Sequence, residues 1–168
     1  MIKINNNYPE YPYIGYKNEN IKIPITFPKQ HQLIQPGMEY EMNPLPIFDK
    51  PDYIPSCKLK DKVVIISGGD SGIGRAISVL FAKEGANLAI SYLNEHQDAN
   101  YTKQLVESLG RKCILFPGDL RDEDLSKYIA EKTMNIFGKI DVLINNCGVQ
   151  FPQDSILNIS SNQLKDTF

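Results

Sequence analysis

Two apolar rhythms alternate along the chain after Lys58. Val63–Ser67 reads V-V-I-I-S, a continuous β-branched run of the kind a strand buried on both faces carries, and from Ile73 to Glu84 apolar positions recur at helical spacing. Further strands are predicted at Asn87–Leu93, Lys112–Phe116 and Ile140–Ile144, with helices at Glu95–Leu109 and Glu123–Phe137 between them. The order is β-α-β-α-β-α-β with short connections. Parallel strands joined by helices need right-handed crossovers, which a doubly wound open sheet of about four strands provides. A last helix is predicted from Ser160, with Ser160 as N-cap, Gln163 closing a capping box, Ile159 stapled to Leu164, and Leu164 and Phe168 opening an apolar stripe.

The break after the first strand carries the chemistry. In Ser67-Gly68-Gly69-Asp70-Ser71-Gly72-Ile73-Gly74 the glycines are placed for three separate jobs: a tight turn at Gly68, bare backbone for a pyrophosphate at Gly72, and close helix-on-strand packing at Gly74. The free N–H groups and dipole at the start of the following helix favour an anion. This pattern predicts a nicotinamide dinucleotide site.

Before residue 59 the pattern is different. Nine of eleven prolines and six of nine tyrosines fall there, and proline every few residues forbids a long helix or a central strand. Residues 1–58 are therefore expected to form an extended arm, and 59–168 the sheet domain. The arm's Tyr, Ile and Phe content favours docking on a surface of its own or a neighbouring subunit over a disordered leader.

Length and composition narrow the class. A chain of 168 residues with 42% apolar content supports one ordinary core, and a net charge of −2 without a basic stripe gives no sign of nucleic-acid binding. No apolar run approaches the ~18 residues of a membrane span, and the start lacks a signal core. Cys57, Cys113 and Cys147 are odd in number and widely spaced, as in a reducing compartment, so a cytoplasmic protein is expected. His31 and His96 lack ligand spacing, and no metal site is expected.

Three motifs together resemble the short-chain dehydrogenase/reductase family. Ser67–Gly74 is similar to that family's T-G-x-x-x-G-I-G turn, Asn145-Asn146-Cys147-Gly148 to its N-N-A-G motif, and Asp119 in Pro117-Gly118-Asp119-Leu120 to its adenine-contacting aspartate. The stretch Gln30-His31-Gln32, then Gln35-Pro36-Gly37-Met38-Glu39, Met42-Asn43-Pro44 and Pro46, resembles the N-terminal extension of a bacterial, general-stress-protein-like branch. The resemblance implies a Rossmann-type fold and an NAD(P)-dependent oxidoreductase acting on an alcohol or carbonyl. It implies that the backbone Gly68–Gly74, Asp70 and Ile73 included, faces the pyrophosphate and that Ser71 donates to it. Tyr92 and Leu93 would lie beside the adenosine ribose, and Asp119 and Leu120 would bracket the adenine. Asn145 would tie backbone together, while Asn146, Cys147 and Gly148 would floor the cofactor ribose. Cys147 replaces the usual alanine and is read as a buried packing variation, since a buried thiol behaves as a small apolar group. Tyr92, Leu93 and Asn94 offer neither the acid that favours NAD nor the base that favours NADP. Asp70 would disfavour an extra phosphate, which leans the reading to NAD.

The family's catalytic serine and Tyr-x-x-x-Lys pair are expected beyond Phe168. Two such spacings occur earlier and are rejected: Tyr13/Lys17 lies in the proline-rich arm, and Tyr128/Lys132 sits on a helix that covers the sheet. Ser155 precedes any fifth strand. No catalytic residue is assigned, and the chain is expected to be the cofactor-binding portion of a longer, homo-oligomeric enzyme. The competing reading is a non-catalytic dinucleotide-binding module; an extended-type epimerase is disfavoured by the glycine spacing.

Overall fold

A computed structural model describes residues 28–33 and 36–167. The Tyr13/Lys17 spacing, Gln35, Phe168 and the first part of the arm lie outside the described residues. Four parallel strands, β1 (Val63–Ser67), β2 (Asn87–Tyr92), β3 (Cys113–Pro117) and β4 (Val142–Asn145), are arranged in the order β3-β2-β1-β4. The intervening helices are α1 (Gly72–Lys83), α2 (His96–Ser108) and α3 (Glu123–Phe137). The chain steps outward from β1 to β3, then α3 carries it back past β1 to the other side. The expected Rossmann-type doubly wound sheet is formed.

The continuous apolar runs belong to the two central strands. β1 is buried at every position and β2 at all but its first, because helices cover both faces. Val64, Ile66, Leu88 and Ile90 pack with Ala82 of α1 and Val106 of α2; Ile65, Ala89 and Phe116 pack on the opposite face with Ile129 of α3. Ile66, Leu88 and Ile90 are fully buried, and each such side chain contributes about 1.5–3 kcal/mol of transfer free energy. Among the described residues β4 pairs with β1 alone, and Leu143 on it is 58% exposed.

Local chemistry sets the element ends. The Asp122 side chain accepts the Asp124 N–H at the start of α3, and Gly138 closes that helix in the left-handed region with φ 78°. The capping box at Ser160 is present in both directions: Gln163 N donates to Ser160 Oγ at 3.2 Å and Ser160 N to Gln163 Oε1 at 2.9 Å. The helix it starts, α4, runs Ser161–Thr167. β4 starts two residues later than the apolar pattern predicts, because Asp141 is bound to the start of β1 instead: its N–H donates to Val63 O and its carboxylate accepts from Val63 N. Ile140 packs on the α3 face without being in the strand.

The arm docks on this same chain. From Glu39 to Lys58 it follows α1 from its N-terminus to its C-terminus, meeting Gly72 and Arg75 first and then Lys83 and Glu84. At the far end the Glu84 carboxylate accepts from the Tyr53 hydroxyl, Ser56 N at 3.2 Å and Lys58 N at 2.7 Å. These donors, the Tyr53 hydroxyl foremost, lower the Glu84 pKa to about 2. A folded-state pKa below the unfolded value of ~4.3 means the stabilisation is present above that value and is lost as pH falls toward 2. Glu84→Gln is therefore expected to lower the thermal midpoint at pH 6 and to lower it far less at pH 2, read from melts across that range. An equal deficit at both ends would contradict the assignment.

Candidate functional site

Sequential strands reverse direction of travel at β1, so the carboxyl ends of β1 and β4 flank a crevice at the topological switch point of the sheet. Both glycine-bearing segments lie there. Gly68 leaves β1 with φ 60° and its N–H donates to Ser91 O at 2.7 Å, turning the chain sharply across the end of β2. Gly74 sits where the first turn of α1 crosses back over Gly68: a methyl there would overlap the Gly68 carbonyl oxygen and lie 2.8 Å from Asn146 Nδ2. The packing role read for this glycine is thus geometric. Gly72 and Ile73 face outward, Ile73 being 74% exposed, and a Cβ built on Gly72 meets nothing within 4 Å.

The segment after β4 is stitched to this turn. Ser67 Oγ donates to Ile144 O at 3.3 Å and accepts from Asn146 N at 2.9 Å and Cys147 N at 3.1 Å. Asn146 Nδ2 donates to the carbonyls of Ser67 at 3.2 Å and Gly68 at 2.8 Å. Asn146 therefore does the tying expected of Asn145, which ends β4 with an exposed side chain. The reason is the two-residue strand period: Asn146 continues the face of Val142 and Ile144, the side covered by α1 and the glycine turn, whereas Asn145 points to the other face. Cys147 is exposed rather than buried, which corrects its reading as a packing variation. Gly148 is exposed beside it.

The remaining expected residues are distributed around the same strand ends. Tyr92 closes β2, nearly buried, with its hydroxyl 2.9 Å from His96 Nδ1; Leu93 follows, partly exposed. Asp119 follows β3, where its carboxylate holds the Arg121 guanidinium at 2.6–3.1 Å and accepts Arg121 N at 2.9 Å. That pairing lowers the Asp119 pKa. Leu120 packs inward with the α3-face cluster. Asp70 is 4% exposed, its carboxyl against the Ser71 hydroxyl, and burial raises its pKa. Any influence it has on a bound phosphate acts through the turn, not by contact.

Tyr128 and Lys132 are placed away from the crevice. Their helix covers the opposite face of the sheet from α1, the Tyr128 ring meets Phe116 edge-on at 6.0 Å, and the Lys132 ammonium lies 5.4 Å from that ring. Ser155 accepts Leu157 N at a short turn.

One group was not read from the sequence. Arg75, on the second residue after Ile73, is 3% exposed and lies under the turn, donating from Nε to Asp70 O at 3.1 Å and Thr102 Oγ1 at 2.8 Å. Its other nitrogens meet Glu39 of the arm and Asp98 of α2. A signal existed: Arg75 falls on the stripe of Ser78, Val79 and Ala82, the buried face of α1, where a cation requires buried partners.

Comparison with known proteins accords with this geometry. Residues 62–168 match the family model described as short chain dehydrogenase. The chain is 54% identical over 139 residues to the uncharacterized oxidoreductase YhdF of Bacillus subtilis, covering 83% of this chain and 48% of that protein. It is 51% identical over 145 residues to General stress protein 39 of the same organism, covering 86% and 51%. The chain thus spans about half the length of the curated relatives it matches. Among solved structures, a short chain dehydrogenase from Burkholderia cenocepacia in complex with NADP superposes with TM-score 0.61 at 30% identity, and carveol dehydrogenase from Mycobacterium avium in complex with NAD with TM-score 0.61 at 26%. Each covers 66% of this chain and 44% of the neighbour's. Fold, motifs and relatives agree, and the chain belongs to the short-chain dehydrogenase/reductase family of oxidoreductases, which bind a nicotinamide dinucleotide.

Proposed function

We propose that residues 59–168, with the described part of the arm docked on them, supply the dinucleotide-binding half of an NAD(P)-dependent oxidoreductase acting on an alcohol or carbonyl. The observation that carries the reading is the outward-facing backbone at Gly72 and Ile73, open above the glycine and fixed from below by Gly74, at the switch point of the sheet. Ser71 and the N–H of Ile73 would hold the pyrophosphate against the open face of Gly72, whose own N–H is taken by Glu39. Asp119 would accept from the adenine amino group, and Asn146, Cys147 and Gly148 would line the ribose floor. Bound in that crevice, the nicotinamide supplies or accepts hydride. These residues would bind and orient the cofactor; no acid–base group is assigned among them.

For the choice of cofactor, the charge around β2 supports NAD. Asp70, Glu95 and Asp98 are buried near its end, and Arg75 is committed to Glu39 and Asp98 and is not free for a 2′-phosphate. Calorimetric titration of the chain with NAD and with NADP is the test. Saturable binding of NAD, at least about threefold tighter than NADP, corresponding to ~0.7 kcal/mol, is expected. Tighter NADP binding would overturn the preference. Binding of neither would overturn the dinucleotide reading itself.

A further inference from the structure

The arm reaches the phosphate turn through a single carboxylate. Glu39 is buried in a short 3-10 turn, Glu39–Glu41; its own N–H donates to Asp98 Oδ2 at 2.9 Å. One carboxylate oxygen accepts the N–H of Gly72, a free donor at the start of α1, and the other pairs with the Arg75 guanidinium. Arg75 in turn holds Asp70 O and reaches α2 through Asp98 Oδ1 at 3.1 Å. Thr102 Oγ1 donates to the same Asp70 carbonyl at 2.6 Å. The guanidinium lies beside two rings, Phe48 of the arm at 5.4 Å and Tyr101 of α2 at 5.0 Å, which meet each other edge-on at 6.3 Å. Arm, turn and α2 therefore share one buried cation.

Charge and geometry explain why this arrangement holds. Two carboxylates against one guanidinium leave an excess negative charge, and the positive end of α1 lies beside it to offset that charge. Glu39 occupies the Gly72 N–H from below the turn, while Gly72 and Ile73 remain exposed on the outer side. A turn containing three glycines in five residues, Gly68, Gly69 and Gly72, has large backbone freedom to lose when it orders around a ligand. Anchoring Asp70 O and Gly72 N before the ligand arrives removes part of that cost.

We propose that Glu39 is a positioning residue for the dinucleotide: by bridging Gly72 and Arg75 it holds the phosphate turn in its binding conformation, so cofactor affinity depends on these Glu39 contacts and not on the far end of the arm. The inference rests on the dinucleotide reading above. Coupling of this kind is reciprocal, so the bound cofactor also tightens the arm.

Three chains test it: the unaltered one, Glu39→Gln and Glu39→Ala. The alanine variant is expected to bind NAD at least about 10-fold more weakly, with glutamine, which retains an acceptor for Gly72 N, in between. Glu84→Gln, which loosens the arm at the other end of α1, serves as the control for general destabilisation and is expected to leave NAD affinity unchanged. Hydrogen exchange without cofactor should quicken at Gly72–Arg75 in the Glu39 variants, and added NAD should slow exchange at Glu39–Phe48 in the unaltered chain. Equal affinity in all chains, an equal loss in Glu84→Gln, or unchanged exchange at Gly72–Arg75 would overturn the proposal. If the unaltered chain binds no dinucleotide, the functional reading fails, and the cofactor-free exchange experiment still decides whether Glu39 orders the turn.

Discussion

Gly74→Ala is expected to leave the chain without a stable fold. The added methyl would overlap the Gly68 carbonyl oxygen, and its next neighbours, Gly68 C and Asn146 Nδ2, stand at 2.8 Å. None of these is the loose end of a flexible side chain: the carbonyl belongs to the turn, and Asn146 Nδ2 is held by two bonds to Ser67 and Gly68. Relief requires α1 to lift off the sheet, which breaks the Ser78 Oγ bond to Gly69 O at 3.0 Å and opens the packing of Ala82 on Ile66 and Leu88. A cost on the order of 4–5 kcal/mol is the range reached by severe overpacking and network loss. That consumes nearly all the stability of a domain at the lower end of the ~5–15 kcal/mol range. Gly110→Ala is the comparison, with φ 75° but open space around the new methyl, at about 1–2 kcal/mol. Circular dichroism melts should show a cooperative transition for Gly110→Ala and none above room temperature for Gly74→Ala. A Gly74→Ala midpoint within a few degrees of the unaltered chain would show that α1 does not approach the turn as described.

Gly72→Val is expected to leave the fold in place and to remove dinucleotide binding. Here the added Cβ meets no protein atom within 4 Å, so the main burden on the folded chain is the strain of φ 51°. The space it fills is the space assigned to the pyrophosphate. Gly110→Val carries the same kind of strain at φ 75°, in equally open surroundings, far from the crevice. Affinity for NAD should fall at least ~100-fold in Gly72→Val, about 2.8 kcal/mol at ~1.4 per decade, and stay unchanged in Gly110→Val. Parallel titrations of the two variants make the comparison, with their melts as the check on strain. Equal affinities would place the phosphate elsewhere.

What was legible in the sequence divides along the range of the interactions. The four strands and three helices were visible because continuous apolar runs and helical periodicity are local properties, and the capping box at Ser160 was legible for the same reason. The glycine turn was equally readable, since Gly68 and Gly74 perform backbone tasks that other residues cannot. Ile140 misled because a core-lining loop residue and a strand residue look alike when apolar, and Asp141 decided the strand start through a bond to β1 78 residues away. Asn146 makes the tie expected of Asn145 because one position at the strand end decides which side chain lies on the α1 face of the sheet. The Arg75 cluster was hidden for a stronger reason. Its partners lie 36 residues before it, at Glu39, and 23 residues after it, at Asp98. Only the docking of the arm brings them together, and no local pattern encodes that pairing.

The central claim is that the crevice at the ends of β1 and β4 takes up a nicotinamide dinucleotide, and amide chemical-shift mapping of the isotope-labelled chain during titration with NAD tests it most directly. Saturable shifts should cluster at Gly68–Gly74, at Asp119 and Leu120 and at Asn146–Gly148, with the amides of α3 from Lys127 to Phe137 unmoved. Shifts confined to α3, or none that saturate, would contradict the account.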